Sequence, residues 1–166
     1  MSKEPENQKR NREIYIVLDN VRSVHNVGSI FRTADCLGVN NIILVGVTPA
    51  PLDRFGRPRK DFAKVSLGAE RKISWRYFKN FREASRHLKD RKIYCLSVEQ
   101  GFRSLDYKKI KPKFPIAFIF GNEVEGVSKN FLDISHAVAE IPMYGSKESL
   151  NVSVAVGIAL TRILDL

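Results

Sequence analysis

The chain has 166 residues, the usual size of one domain, and its hydrophobic content of 43% is enough to form a core. Its 28 basic and 18 acidic residues give a net charge of +10, which predicts a polyanionic partner: nucleic acid first, an anionic membrane surface second. No stretch approaches the roughly 18 consecutive apolar residues of a membrane span, and the polar first residues argue against a secretory signal, so we expect a cytoplasmic protein.

Apolar runs and helical spacing of apolar residues predict strands that alternate with helices. We expect a disordered basic arm over residues 1–12 and a single domain over residues 13–166. In chain order, the predicted elements are strand Ile14–Leu18, helix Asn26–Leu37, strand Asn41–Val47, loop Thr48–Lys60, strand Ile73–Tyr77, helix Asn80–Lys89, strand Lys92–Val98, strand Ile116–Phe120, helix Lys129–Ile134, strand Ala137–Ile141 and helix Leu150–Leu164. The strands are continuous rather than alternating apolar runs. The sequence therefore predicts an α/β fold with a mostly parallel sheet covered by helices on both faces.

Three segments combine small polar, glycine and charged residues at the ends of predicted strands or at the start of helices. They are Asn26–Ala34, Gly121–Ser128 and Ser149–Ala155. Ligands of parallel sheets bind outside the carboxyl ends of the strands, so the last two segments predict a small-molecule site.

The residues of these segments leave more than one interpretation open. Asn26 and Ser149 are good helix caps, and Arg32 is either a surface residue or a phosphate clamp. The Gly121–Ser128 loop has neither the dinucleotide fingerprint nor the Lys-Ser/Thr of a phosphate loop, so it predicts neither NAD nor ATP. Its acidic residues suit a ligand with a cationic part.

The cysteines and histidines predict no metal site. Cys36 and Cys95 fall in a predicted helix and a predicted strand, and we expect two buried thiols. The three histidines are scattered, without metal-ligand spacing.

Together the three segments resemble the three motifs of the SpoU/TrmH family of RNA ribose 2′-O-methyltransferases, in the SPOUT superfamily. The matching residues are Asn26-x-Gly28-x-x-x-Arg32-Thr33-Ala34, Gly121-Asn122-Glu123-x-x-Gly126, and Ile141-Pro142-Met143 with Ser149-Leu150-Asn151-Val152-Ser153-Val154-Ala155. The resemblance covers nearly the whole chain. It implies a C-terminal deep trefoil knot, a rare exception to the rule that chains do not thread loops. It also implies S-adenosylmethionine as cofactor and a homodimer with each active site completed near the subunit interface.

The resemblance also implies roles for individual residues. The residues that match the adenosyl pocket are Gly121, Ile141, Met143 and Leu150. The residues that match the polar active site are Asn26, Arg32, Glu123, Ser149 and Asn151. An arginine is a poor base, so we interpret Arg32 as a bidentate clamp on the phosphate beside the ribose. No metal is needed.

The predicted function is methyl transfer to the ribose 2′-hydroxyl of tRNA or rRNA. Two alternatives remain: a non-catalytic RNA-binding or ribosome-assembly protein on the same fold, and a base methyltransferase. The basic residues that we expect to bind RNA are Arg54, Arg57, Arg59, Lys60, Arg71 and Lys72. The apolar final helix predicts that part of its surface meets a second subunit.

Overall fold

A computed structural model of the chain describes residues 12–101 and 103–166. Within these residues one seven-stranded sheet forms the framework, in the order β3-β2-β1-β6-β4-β7-β5, and all its pairings are parallel. The strands are β1 (Ile14–Asp19), β2 (Asn41–Val45), β3 (Ser74–Phe78), β4 (Tyr94–Val98), β5 (Leu105–Asp106), β6 (Ile116–Phe120) and β7 (Ala137–Glu140). The fully buried central strand β6 confirms that continuous apolar runs indicate strands covered on both faces.

Helices cover both faces of the sheet, as the sequence predicted. They are α1 (Val24–Cys36), α2 (Lys60–Ser66), α3 (Phe81–Asp90), α4 (Lys129–Ile134) and α5 (Val152–Leu164). One core joins the sheet to α1, α2 and α5, and Phe31 meets Phe62 edge to face at 5.2 Å within it. The other joins the sheet to α3 and α4, where Phe81 meets Phe131 in the same way at 4.9 Å. Such pairs add to the stabilisation that burial of the rings provides.

One α-helix and one strand were absent from the sequence-based prediction. Helix α2 buries only Phe62 and Ser66, so its seven residues carry too few apolar positions to reveal a helical period. Strand β5 has two residues and exists through its pairing with β7, which no local pattern predicts. The prediction of two buried thiols was wrong for Cys36, which is exposed, whereas burial raises the pKa of the Cys95 thiol to about 11.

The predicted basic arm lies outside the described residues except for Arg12. The Arg12 guanidinium lies 5.5 Å from the ring centroid of Phe114. Among the described residues, no helix is both long enough and apolar enough to cross a membrane.

Candidate functional site

A cleft of about 440 Å³ opens where β4, β6 and β7 end, at the carboxyl edge of the sheet. We call it the carboxyl-edge cleft. Its lining residues are Val98, Glu99, Gln100, Phe120, Gly121, Asn122, Glu123, Val124, Glu125, Gly126, Ile141, Met143, Glu148, Ser149, Leu150, Val152 and Ala155. Its size is that of a small-molecule site, and its position is where parallel sheets bind ligands.

The structure brings most of the predicted site residues into this cleft. All four residues expected to hold the cofactor line it: Gly121, Ile141, Met143 and Leu150. The wall also contains Glu123 and Ser149. Four glutamates line the cleft, and its described lining contains no lysine, arginine or histidine. This electrostatic environment favours a ligand with a positive charge and disfavours a phosphate.

The Gly121–Ser128 loop is shaped by the side chain of Asn122. Its Oδ1 accepts hydrogen bonds from the backbone N–H groups of Val124 at 2.9 Å and Glu125 at 2.8 Å. An asparagine that bonds to the backbone two and three residues ahead fixes a tight turn. A side chain of the loop itself therefore fixes the turn from Asn122 to Glu125.

Two glycines let this loop fold back on itself. A Cβ on Gly121 would overlap the carbonyl group of Gly126 and the nitrogen of Val127. Gly126 has φ +69°, and a Cβ there would overlap the carboxylate of Glu99. Both positions thus require glycine for the fold of the loop itself.

Two carboxylates that the sequence analysis did not single out hold the Gly121–Ser128 loop by accepting hydrogen bonds from its backbone. Glu99 accepts from the N–H of Val127 at 2.8 Å through Oε2. Asp19, only 2% exposed, accepts from the N–H of Ser128 at 2.8 Å through Oδ2. The sequence did carry a signal for both, because each acid ends or directly follows an apolar strand whose carboxyl end faces the site.

A directed chain of hydrogen bonds joins the three motif segments. The Nδ2 of Asn26 donates to Oε1 of Glu123 at 2.6 Å, and the Nδ2 of Asn151 donates to Oδ1 of Asn26 at 3.0 Å. The Oδ1 of Asn151 then accepts from the backbone N–H of Ser153 at 2.9 Å. Asn26 is 8% exposed, so both ends of its amide are satisfied in a largely buried position.

Two predicted helix caps were wrong. Helix α1 is capped by Ser23, whose Oγ accepts from the N–H of Asn26 at 3.2 Å, so Asn26 lies inside the first turn. Helix α5 is capped by Asn151, and Ser149 precedes it as an exposed residue. Capping explains why an asparagine stands at position 151, and it leaves the Nδ2 of Asn151 free to bind Asn26.

Arg32 lies apart from this hydrogen-bonded chain. It is exposed, does not line the carboxyl-edge cleft, and has no hydrogen-bond or ion-pair partner for its guanidinium in the described part of the chain. Arg32 lies six positions after Asn26 in α1, so the two side chains point about 120° apart around the helix axis. The two side chains therefore leave α1 in different directions.

The family model described as the SpoU rRNA Methylase family matches residues 13–161. This chain belongs to that family. Its relatives include the tRNA (guanosine(18)-2′-O)-methyltransferase of Thermus thermophilus, 34% identical over 158 residues that cover 92% of this chain and 75% of that protein. The 23S rRNA (guanosine-2′-O-)-methyltransferase RlmB of Ralstonia nicotianae is 34% identical over 151 residues, 89% of this chain and 56% of that protein.

Solved structures agree with the assignment to the SpoU family. The AdoMet-bound rRNA methyltransferase from Sinorhizobium meliloti matches with a TM-score of 0.83 at 30% identity, over 93% of this chain and 57% of that one. The TrmH/SpoU tRNA modifying enzyme of Aquifex aeolicus matches with a TM-score of 0.79 at 25% identity, over 93% and 75%. The chain spans little more than half of some SpoU relatives and three quarters of others.

The basic residues expected to bind RNA in this SpoU-family chain are largely paired with acids. Ion pairs join Arg57 to Asp53 at 2.9 Å and Arg59 to Asp61 at 2.7 Å. Further pairs are Arg71 with Glu70 at 3.5 Å and Lys72 with Asp35 at 3.6 Å. Arg54 and Lys60 have no such partner among residues 12–101 and 103–166.

Across the described part of the chain, no cluster of three or more His, Cys, Asp or Glu side chains is placed to hold a metal ion.

Proposed function

We propose that this chain transfers a methyl group from S-adenosylmethionine to the ribose 2′-hydroxyl of a nucleotide in tRNA or rRNA. The observation that carries the proposal is the hydrogen-bonded chain from Glu123 through Asn26 to Asn151, which joins the three SpoU motifs beside the carboxyl-edge cleft. The relatives named as tRNA and rRNA guanosine 2′-O-methyltransferases support the reaction and the substrate class.

The chemistry of the carboxyl-edge cleft fits S-adenosylmethionine. Gly121, Ile141, Met143 and Leu150 offer backbone groups and apolar contacts for an adenosyl group. The four glutamates of the lining favour the positive sulfonium and ammonium groups. When bound, this cofactor supplies an electrophilic methyl group. The AdoMet-bound neighbour from Sinorhizobium meliloti supports the same choice.

The polar residues have the task of positioning a weak nucleophile. A neutral ribose hydroxyl gains reactivity from orientation and from help in losing its proton. Glu123 fixes the amide of Asn26, which in turn fixes Asn151, and we assign these side chains and Ser149 to hydrogen bonding near the hydroxyl. Arg32 binds the adjacent phosphate bidentately, and that phosphate or water accepts the proton.

We further propose that the active form is a homodimer in which each active site is completed near the subunit interface. The exposed surface of α5 supports this, because Val154 is 47% exposed and Leu166, just beyond the helix, is 58% exposed. Helix α1 packs against α5, and Arg32 is followed in α1 by Thr33, whose Cγ2 would lie 3.9 Å from a Cβ built on Gly157 of α5. We therefore place Arg32 near the surface on which a second subunit would pack.

We also propose that residues 13–166 form one domain and that its C-terminal part is tied in a deep trefoil knot. The assignment to the SpoU family supports the knot, because the resemblance to that family implies one. A crystal structure that traces residues 116–166 tests the knot.

RNA affinity is assigned to Arg54, Arg57, Arg59, Lys60, Arg71 and Lys72. Because several are ion-paired, RNA phosphates must compete with carboxylates for these guanidinium and ammonium groups. Binding should weaken steeply as salt rises, through counterion release. We expect Arg57→Ala with Arg59→Ala to weaken binding and flatten that salt dependence while S-adenosylmethionine binding stays intact. An unchanged salt dependence of RNA binding would show that Arg57 and Arg59 are ordinary surface charges that do not bind RNA phosphates.

One assay tests the proposed reaction. The full chain is incubated with total RNA and methyl-labelled S-adenosylmethionine, and the RNA is digested to nucleosides. Label in 2′-O-methylnucleosides is the expected result. Label in a base would instead make the chain a base methyltransferase, and binding of RNA without any transfer would favour a non-catalytic RNA-binding protein.

A further inference from the structure

A second concave site lies at the opposite edge of the sheet from the carboxyl-edge cleft. It has a volume of about 770 Å³ and runs between α3, the amino end of β4 and the turn that joins α4 to β7. We call it the α3 groove. The residues that line it are Arg82, Ser85, Arg86, Leu88, Lys89, Asp90, Lys92, Ile93, Cys95, Ile134 and His136.

The charge of the α3 groove is strongly positive. Four cations line it, Arg82, Arg86, Lys89 and Lys92, against the single carboxylate of Asp90. None of the four has an ion-pair partner among the described residues, unlike Arg57 or Arg59 of the loop that precedes α2. Unpaired cations around one cavity attract a ligand with several negative charges.

The floor of the α3 groove is apolar and contains an aromatic ring. Leu88 and Ile93 are buried beneath it. The imidazole of His136 stacks on Tyr94 with 4.7 Å between ring centroids and 26° between planes. Its Nδ1 accepts the N–H of Cys95 at 3.0 Å, which fixes the ring orientation. Cations that surround a held aromatic plane are the arrangement that binds unpaired nucleotides, with phosphates on the cations and a base on the ring.

From these observations we propose that the α3 groove is a second RNA-binding site, which holds an unpaired segment of the substrate RNA. The proposal rests on the proposed function, because it takes the RNA to be the methylation substrate. Phosphates bind Arg82, Arg86, Lys89 and Lys92, and one base stacks on His136. No residue of this groove belongs to the carboxyl-edge cleft or to the basic residues assigned above.

The position of the groove constrains the size of the RNA. The groove lies where β4 begins and the cleft lies where β4 ends. At about 3.3 Å per residue, the five residues of β4 separate the two edges by about 17 Å. An RNA that occupies both sites must pass around the sheet, over a path longer than this separation. A trinucleotide centred on the cleft extends by only one nucleotide to either side and does not reach the groove, whereas a folded RNA does. The groove therefore selects long, structured substrates.

The test compares two variants of the full chain that each lose two positive charges. The groove variant is Arg86→Gln with Lys89→Gln, and the matched control is Lys64→Gln with Lys108→Gln, two exposed lysines of α2 and the turn after β5. Binding of fluorescein-labelled bacterial tRNA and of a labelled trinucleotide is measured over a range of salt. Calorimetric titration with S-adenosylmethionine checks that each variant keeps its fold and its cofactor site.

We expect the groove variant to bind tRNA on the order of tenfold more weakly at moderate salt. The slope of log binding constant against log salt concentration should be smaller in magnitude by about 1.4, because each of the two lost phosphate contacts contributes roughly 0.7 on a single strand. The control variant should bind tRNA as the wild type does, and neither variant should change trinucleotide binding. In methyl transfer, the groove variant should need more RNA for half-saturation and keep its maximal rate. His136→Gln, which retains a hydrogen-bond acceptor but removes the aromatic plane, should weaken tRNA binding about fivefold or more.

Equal tRNA binding by the groove and control variants would overturn the proposal. The proposal would also be overturned if the groove variant lost binding to phosphatidylglycerol vesicles while its tRNA binding stayed unchanged, because the groove would then bind an anionic membrane surface. Unaltered binding by His136→Gln would overturn the assignment of a base to that ring. A wild-type chain that transfers no methyl group to any RNA refutes the proposed function instead, and the tRNA binding data then still decide the groove.

Discussion

The side-chain amide of Asn26 donates to the carboxylate of Glu123 at 2.6 Å, across 97 residues of sequence. This contact fixes which end of the Asn26 amide faces Asn151, because the oxygen of Asn26 is then the only part left to accept from the Nδ2 of Asn151. A carboxylate thus sets the orientation of two amides in succession. The amides of Asn26 and Asn151, which we assign to hydrogen bonding near the substrate hydroxyl, therefore depend on Glu123 for their orientation.

Removing either end of that contact should have nearly the same effect on activity. We expect Asn26→Ala and Glu123→Ala each to reduce methyl transfer by about tenfold or more, since hydrogen bonds to charged groups contribute about 1.5–3 kcal/mol. The double variant should lose little beyond the larger single loss, because the two residues act as a unit. Rates are compared at saturating cofactor and RNA. Fully additive losses would show that the two side chains act independently.

The close approach at Gly121 makes a second prediction. Since a Cβ there would overlap the backbone of Gly126 and Val127, Gly121→Ala should distort the loop, weaken S-adenosylmethionine binding and lower the free energy of unfolding by about 1–3 kcal/mol. A bulky residue such as valine would act in the same way, through the loop rather than by filling the adenosyl space. Gly145→Ala is the matched control, because a Cβ at Gly145 meets open space. Calorimetry and urea denaturation check both variants.

Much of this architecture could be predicted because it is local. Apolar runs such as Ile116–Phe120 indicate strands without any knowledge of their neighbours, and the motif segments indicate which residues cluster. The pairing of Asn26 with Asn151 could not be predicted, because 125 residues separate them and only the strand order brings their helices together. The hydrogen bonds that Asp19 and Glu99 accept from the Gly121–Ser128 loop could not be predicted for the same reason. Each acts on the backbone of a loop distant in sequence.

The pH dependence of stability should have a contribution from His87, which packs against Phe78. Burial, followed by the positive charges of Arg91 and Arg76, lowers the pKa of His87 from its ordinary value of 6.5. The unfolded chain therefore takes up a proton at a higher pH than the folded chain does. The free energy of unfolding should fall as pH drops through 6.5, until the folded His87 is protonated as well.

The His87→Gln variant isolates this contribution. Its stability should fall less than that of the wild type between about pH 7.5 and about pH 5.5, because the carboxylates common to both chains cancel in the comparison. Urea denaturation at both pH values gives the two differences. Equal pH dependence in both proteins would remove His87 as a source of acid sensitivity.

The exposed apolar surface at the C-terminus makes a prediction about assembly. Val154→Glu places a charge on the exposed side of α5 and should convert the proposed dimer to a monomer with little loss of monomer stability, because Val154 is 47% exposed. Lys64→Glu, on the exposed side of α2, is the control. Sedimentation equilibrium measures the mass of both variants. A wild-type monomer at micromolar concentration would count decisively against the dimer.

The position of Arg32 gives the sharpest prediction about the mechanism. Arg32→Ala should nearly abolish methyl transfer while the protein stays folded and still binds S-adenosylmethionine, since the side chain is exposed and does not line the cleft. Arg32→Lys keeps the charge and loses the planar fork, so it should be nearly as damaging if bidentate binding of phosphate is the role. A lysine variant with near-native turnover would show that the positive charge of Arg32 is enough and that bidentate binding is not needed. An alanine variant with near-native turnover would show that Arg32 has no part in the mechanism.

A mixed dimer shows which subunit Arg32 serves. Because Arg32 lies outside the cleft of its own protomer and beside the proposed interface, we expect it to act on the partner's site. In a dimer of one Arg32→Ala chain and one Asn26→Ala chain, purified by two different affinity tags, the first chain keeps its own Asn26 and receives the intact arginine of the second. One active site is then complete, and the mixed dimer should recover about half of the wild-type rate, although the Arg32→Ala homodimer is nearly inactive and the Asn26→Ala homodimer is slower by about tenfold or more. If Arg32 serves its own protomer instead, neither site is complete and the rate of the mixed dimer does not exceed that of the more active homodimeric variant.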